Sequence, residues 1–103
     1  SKVQIGENVT YIGSYAFSSC YGLTELTIPG NVKSVEAWAF NYCRGLTKVT
    51  VEDGVTSLGI CVLANCAKLT DVTVADSVTD IGSGAFSFCP MLERIKLPPF
   101  LFI

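Results

Sequence analysis

The residues of this chain best equipped for chemistry are its five cysteines, and four of them, Cys20, Cys43, Cys66 and Cys89, stand 23 residues apart. A thiolate can attack an electrophile, bind zinc or close a disulfide. Nucleophilic catalysis needs a base beside the thiol, and the sequence contains no histidine. A tetrahedral zinc needs four sulfurs at about 2.3 Å from one point. An even spacing instead sets the cysteines in a line. Along a parallel sheet with strands about 4.8 Å apart, the outer two are separated by about 14 Å. Geometry therefore excludes zinc. Neighbouring cysteines lie within the Cα range of a disulfide, but their side chains project in parallel. The line of thiols is read as small buried apolar residues. Cys61 lies off that line, in the column of Tyr15, Trp38 and Gly84, and is expected to be the most exposed of the five.

Other catalytic constellations are missing too. The nine acidic residues are spread along the chain, no two converge in a pocket, and no glycine-rich loop is shaped to cradle phosphate. The chain is expected to be non-enzymatic, with no cofactor and no metal. A net charge of −2 with both signs scattered predicts no nucleic-acid partner. No apolar run approaches the roughly 20 residues of a membrane-spanning helix, so no membrane insertion is expected.

What remains are residues that could recognise a partner. One column at the 23-residue step reads Glu25, Lys48, Asp71, Arg94, alternating in sign. It is either a ladder of cross-strand charge pairs, each contributing about 0.2–1 kcal/mol, or a stripe that reads a ligand. Beside it run Thr27, Thr50 and Thr73 on one side and Thr24, Thr47 and Thr70 on the other. Flat threonine ladders resemble ice-binding surfaces, but a charged column divides these two and the fourth step replaces them with Lys96 and Glu93. Strand propensity explains them better. Tyr15 and Trp38 share a third column, with Tyr42 nearby. Exposed aromatics with a polar edge favour protein or sugar contacts; the alternative is that they cover the turns.

The elements that must position these residues follow from the same period. Val9, Val32, Val55 and Val78 are equivalent, as are Leu23, Leu46, Leu69 and Leu92. Such a repeat means stacked units, each too small to bury its own apolar face. Residues 46–51 alternate apolar and polar, which predicts a half-buried strand with Val49 and Val51 inward. Its copies at 23–28, 69–74 and 92–97 run the same way and should pair as a parallel sheet. A turn follows, then a short extended Val-x-x-Ile stretch and usually a glycine (Gly13, Gly59, Gly82). Glu36 replaces that glycine once, so the position does not strictly demand positive φ. The Ala-Phe-x-x-Cys segment is predicted as a single helical or 3₁₀ turn, with Phe17, Phe40, Leu63 and Phe86 filling the interior. Residues 1–103 form one domain of about four and a half repeats, beginning and ending inside a repeat, and are read as a piece of a longer protein. Uncapped ends, together with Phe100-Leu101-Phe102-Ile103, predict end-to-end self-association.

As a consensus the unit reads Leu-Thr-x-Val-Thr-Ile-Pro-x-x-Val-x-x-Ile-Gly-x-x-Ala-Phe-x-x-Cys-x-x. This closely resembles the BspA-like leucine-rich repeats over residues 1–98, departing at Cys61-Val62-Leu63, where x-Ala-Phe is expected. The resemblance implies a right-handed leucine-rich repeat solenoid with a parallel β-sheet on the concave side and short extended segments and single helical or 3₁₀ turns on the convex side. It further implies a bacterial cell-surface or secreted protein that adheres to an extracellular protein or glycan, on host or neighbouring cells. Structural spacer repeats, and a targeting module attached to an enzyme domain, are the alternatives it leaves open.

Overall fold

The computed structural model describes the backbone of Lys2 and Val3 and residues 5–98 in full. The apolar tail expected to drive self-association, Phe100 to Ile103, lies outside the described residues. Among the described residues, nine short strands alternate between two parallel sheets. The strands β1 (Lys2–Val3), β3 (Glu25–Ile28), β5 (Lys48–Val51), β7 (Asp71–Val74) and β9 (Arg94–Lys96) form one sheet in that order. The second sheet holds β2 (Tyr11–Ile12), β4 (Ser34–Val35), β6 (Ser57–Leu58) and β8 (Asp80–Ile81), again in sequence order. Each coil of the chain thus adds one strand to each sheet, and the third side of every coil is a run of turns. We call these the strand face and the turn face.

The register is the repeat made visible. Glu25 pairs with Lys48, Lys48 with Asp71 and Asp71 with Arg94. Thr27, Thr50 and Thr73 form the parallel row next but one, continued by Lys96. The alternation predicted for residues 46–51 holds in the interior coils: Leu26, Ile28, Val49, Val51, Val72 and Val74 are buried while the residues between them face out. Only a coil-to-coil stack can bury both ends of each side-chain row, since one coil alone leaves its apolar edge in water.

Threonine hydroxyls brace the stack. Thr47 donates to the Thr24 carbonyl and Thr70 to the Thr47 carbonyl, each at 3.1 Å. Thr56 and Thr79 make the same contact with Lys33 and Thr56 at 2.9 and 3.3 Å. One of the two threonine rows flanking the charge column is therefore a hydrogen-bond ladder as well as a product of strand propensity.

The turn run is not the single helical or 3₁₀ turn that Ala-Phe-x-x-Cys suggested. No helix occurs among the described residues. In the first coil the Ala16 N–H bonds to the Gly13 carbonyl, Ser18 to Tyr15 and Cys20 to Phe17, at 3.2–3.3 Å. The intervening N–H groups turn outward to the next coil: Phe17 donates to Ala39 at 2.8 Å and Ser19 to Asn41 at 2.9 Å. A continuous 3₁₀ segment would send every N–H back along its own coil. It is prevented by a left-handed residue at two columns of each repeat: Tyr15, Trp38, Cys61 and Gly84 (φ 54–69°), and Ser19, Tyr42, Asn65 and Phe88 (φ 58–63°). Positive φ at the third residue is the signature of a type II turn. Gly59 and Gly82, by contrast, serve close approach: a Cβ on them would sit 2.4 Å from the Ala37 nitrogen and 2.3 Å from the Ile60 nitrogen.

The Phe17 and Phe40 rings stack with centroids 5.1 Å apart inside the turn face. The third coil breaks that stack with Leu63, and the accompanying Val62, where the other coils have alanine, restores the volume. Both are buried. Overpacking one member of such a pair costs about 1–3 kcal/mol, whereas a volume-conserving exchange is tolerated. We therefore expect Leu63→Phe alone to lower the urea midpoint clearly, and Leu63→Phe with Val62→Ala to recover most of the loss. Equal destabilisation by the single and double variants would contradict this packing.

Candidate functional site

On the strand face the charged residues meet one another. Arg94 Nε and Nη2 donate to the two carboxylate oxygens of Asp71 at 2.9 and 3.0 Å, a bidentate pair. Arg94 also lies 3.6 Å from Glu93. The Arg94 guanidinium holds the Asp71 carboxyl below its usual value, with a smaller contribution from Thr70, and the Asp71 charge in turn raises Arg94. Lys48 stands between Glu25 and Asp71 in register, and its charge also favours ionised Asp71. The column thus holds a formed pair at Asp71–Arg94 with Lys48 in register beside it, and Thr27 and Thr73 are exposed alongside while Thr50 is half-buried.

The turn face is different. Tyr15 is 59% exposed and its ring stacks on Trp38 at 6.3 Å, with an interplanar angle of 1°. Tyr42 is exposed, and two coils further along the same column Phe88 is 80% exposed. These four aromatics all occupy left-handed positions, which suit glycine and asparagine and disfavour bulky side chains. Tyr21, also exposed, carries the Arg44 guanidinium 5.2 Å from its ring centroid. The three aromatics picked out in the sequence are thus on one face with Phe88, Arg44 and Asn65, which were not. The signal for Phe88 was available, because it is Tyr42 shifted by two repeats. Arg44 and Asn65 became visible only once cross-coil neighbours were known.

The cysteine line is a set of coil-to-coil contacts. The Cys43 thiol donates to the Phe17 carbonyl at 3.3 Å, Cys66 to Phe40 at 3.5 Å and Cys89 to Leu63 at 3.2 Å. The five cysteines are free thiols. Burial pushes Cys43 up to about 11. Cys66 is raised by its hydrogen bond to Cys89 and by burial, while the same hydrogen bond brings Cys89 down to about 7. Cys61 is half-buried, as are Cys20 and Cys89, so it is not set apart by exposure. Thiolates are the reactive form, so iodoacetamide at pH 7.5 should label Cys89 ahead of Cys43 and Cys66, which should react only on unfolding. Mass spectrometry showing Cys43 or Cys66 modified first in the native protein would contradict that order.

Comparison with known proteins follows the fold. The family described as the BspA type leucine rich repeat region matches residues 1–102 in 6 copies. Solved structures are similar as well. A leucine-rich cell surface protein from Faecalibacterium prausnitzii is 25% identical, with a TM-score of 0.56, covering 90% of this chain and 32% of its own. A leucine-rich repeat protein from Bacteroides ovatus is 28% identical, TM-score 0.56, covering 87% and 29%. The leucine-rich repeat protein of T. pallidum is 26% identical, TM-score 0.58, covering 87% and 53%. The chain therefore spans between about a third and a half of these proteins. Among curated proteins none matches it.

Proposed function

This chain belongs to the BspA-type leucine-rich repeat family, and from that footing we propose that it is a non-enzymatic interaction segment of a bacterial cell-surface or secreted protein, with adhesion as its task. In this reading residues 1–103 form a single domain, the ligand is an extracellular protein or glycan, and the turn face makes the contact. One observation carries the choice of face. Tyr15, Trp38, Tyr42 and Phe88 sit at left-handed positions that penalise them and none is sequestered in the core. Stability does not explain bulky aromatics there; recognition does, since aromatics with adjacent polar groups dominate contact energetics. The strand-face candidates Glu25, Lys48, Asp71, Arg94, Thr27, Thr50 and Thr73 contribute lateral pairing. The name of the F. prausnitzii relative, a leucine rich cell surface protein, supports the location.

The test is adhesion of cells displaying this chain to mucin-coated and fibronectin-coated surfaces. Serine at Tyr15, Trp38 and Tyr42 together should reduce adhesion at least about tenfold on the surface that binds. Lys48→Glu with Arg94→Glu should change it less than about threefold. Insensitivity to both sets would favour the alternative, a spacer that holds another domain away from the surface.

A further inference from the structure

The turn face carries a notch with its own chemistry. The third coil places Asn65 and Ala67 where the second has Tyr42 and Arg44 and the fourth has Phe88 and Pro90. The result is an open pocket of about 640 Å³ lined by those residues. The coils are hydrogen-bonded to one another along this face: Tyr42 donates to the Ala64 carbonyl at 2.9 Å and Asn65 to Ser87 at 2.8 Å. Their spacing is thus that of a parallel ladder, about 4.8 Å, which puts the Tyr42 and Phe88 positions about 10 Å apart. A ring stacked between two aromatic walls at about 3.5–4.0 Å from each needs about 7–8 Å. The notch admits one ring.

Two polar groups choose the kind of ring. The Asn65 side-chain amide makes no hydrogen bond among the described residues, so it offers both donor and acceptor to a ligand. Arg44 has no carboxylate partner among the described residues. One side of its guanidinium lies on Tyr21, 5.2 Å from the centroid, while the small Ala67 in the next coil leaves the side toward the notch uncovered. A held, uncompensated guanidinium matches a carboxylate bidentately. An apolar side chain would leave the amide and the guanidinium unanswered. A pyranose ring answers all three: its C–H face lies on the aromatic walls, its hydroxyls meet Asn65 and its carboxylate meets Arg44.

We propose that this notch is a subsite for a carboxylate-bearing sugar residue. The proposal rests on the adhesion reading and names the chemistry of its ligand, but it can fail alone. The test is a ¹H–¹⁵N NMR titration of the purified chain at pH 6, below the value of about 7 to which the Cys89 thiol that also lines the notch is lowered. The probes are 3′-sialyllactose, a hyaluronan tetrasaccharide, lactose and a Trp-Asp dipeptide. Sialyllactose or the hyaluronan fragment should shift the amides of residues 42–44, 65–67 and 88–90, and should bind at least about tenfold more tightly than lactose. Binding by one acid and not the other assigns the sugar to sialic or uronic acid. Asn65→Tyr, which fills the notch with the residue its own column already carries at Tyr42, should abolish the shifts while the amide spectrum away from the notch stays that of the folded chain, the thermal midpoint falling only modestly for a tyrosine at this left-handed position. Arg44→Gln should level the acids with lactose. The proposal is overturned if no sugar binds, if lactose binds equally well, if Asn65→Tyr binds as wild type, or if the dipeptide binds more tightly and displaces the sugars. Retained mucin adhesion by Asn65→Tyr would sink this subsite while leaving the adhesive turn face standing.

Discussion

Replacing Val49 by aspartate should unfold most of the protein at 25 °C, whereas the same change at Thr50 should be tolerated. Val49 is 1% exposed in the central strand of the larger sheet, and its neighbours in register, Leu26 and Val72, are equally enclosed. A carboxylate there has no cation and no donor within the interior. The cost of burying it exceeds about 4–5 kcal/mol, comparable to the whole stability of a small domain. Thr50 is one residue along and points to the opposite face. Its side chain makes none of the coil-to-coil hydroxyl contacts of Thr47 or Thr70, so a charge there stays hydrated. Far-ultraviolet circular dichroism of the two variants distinguishes them directly. If Val49→Asp melted like wild type, or Thr50→Asp unfolded, the register would be off by one.

Phe40→Ala is the second large effect. Phe40 is fully buried, its ring stacks on Phe17 at 5.1 Å, and its carbonyl accepts the Cys66 thiol. Truncation removes the burial of a whole ring and leaves a void that a hydrogen-bonded turn run cannot collapse to fill. The expected loss is about 3–5 kcal/mol. In an array where each coil touches only its neighbours, the damage should appear first as hydrogen exchange in the first three coils. A loss below about 1 kcal/mol in urea titration would mean the ring is not a core element.

Legibility in the sequence differed by element for physical reasons. The strands were readable because a side-chain period of two, repeated at a fixed step, leaves one consistent register: Glu25, Lys48, Asp71 and Arg94 were aligned by counting alone, and they pair so. The turn run was misread because its backbone is set by left-handed residues of unhelpful type. Tyr, Trp, Cys and Phe give no local hint of positive φ. Gly84 and Asn65 are the hints, each appearing in one copy of its column. The conspicuous glycines, Gly13, Gly59 and Gly82, stand two residues before the Gly84 column, where backbone approach is the constraint at Gly59 and Gly82 and nothing lies within 4 Å of a Cβ at Gly13. The departure from the consensus at Val62-Leu63 is a volume exchange between two buried side chains. The notch was illegible for a related reason: it is made by small residues, Asn65 and Ala67, between large ones in adjacent coils, and a single coil contains no trace of it.

The turn face as the contact surface is tested most directly by hydroxyl-radical footprinting of the chain bound to immobilised mucin. Aromatic side chains oxidise readily when exposed, so bound and free protein can be compared residue by residue with mass spectrometry. Several-fold protection is expected at Tyr15, Trp38, Tyr42 and Phe88, with oxidation at Lys48 and Arg94, exposed on the strand face, unchanged. Protection at Lys48 and Arg94 with the four aromatics oxidised as in the free chain would contradict that, and would place recognition on the strand face instead.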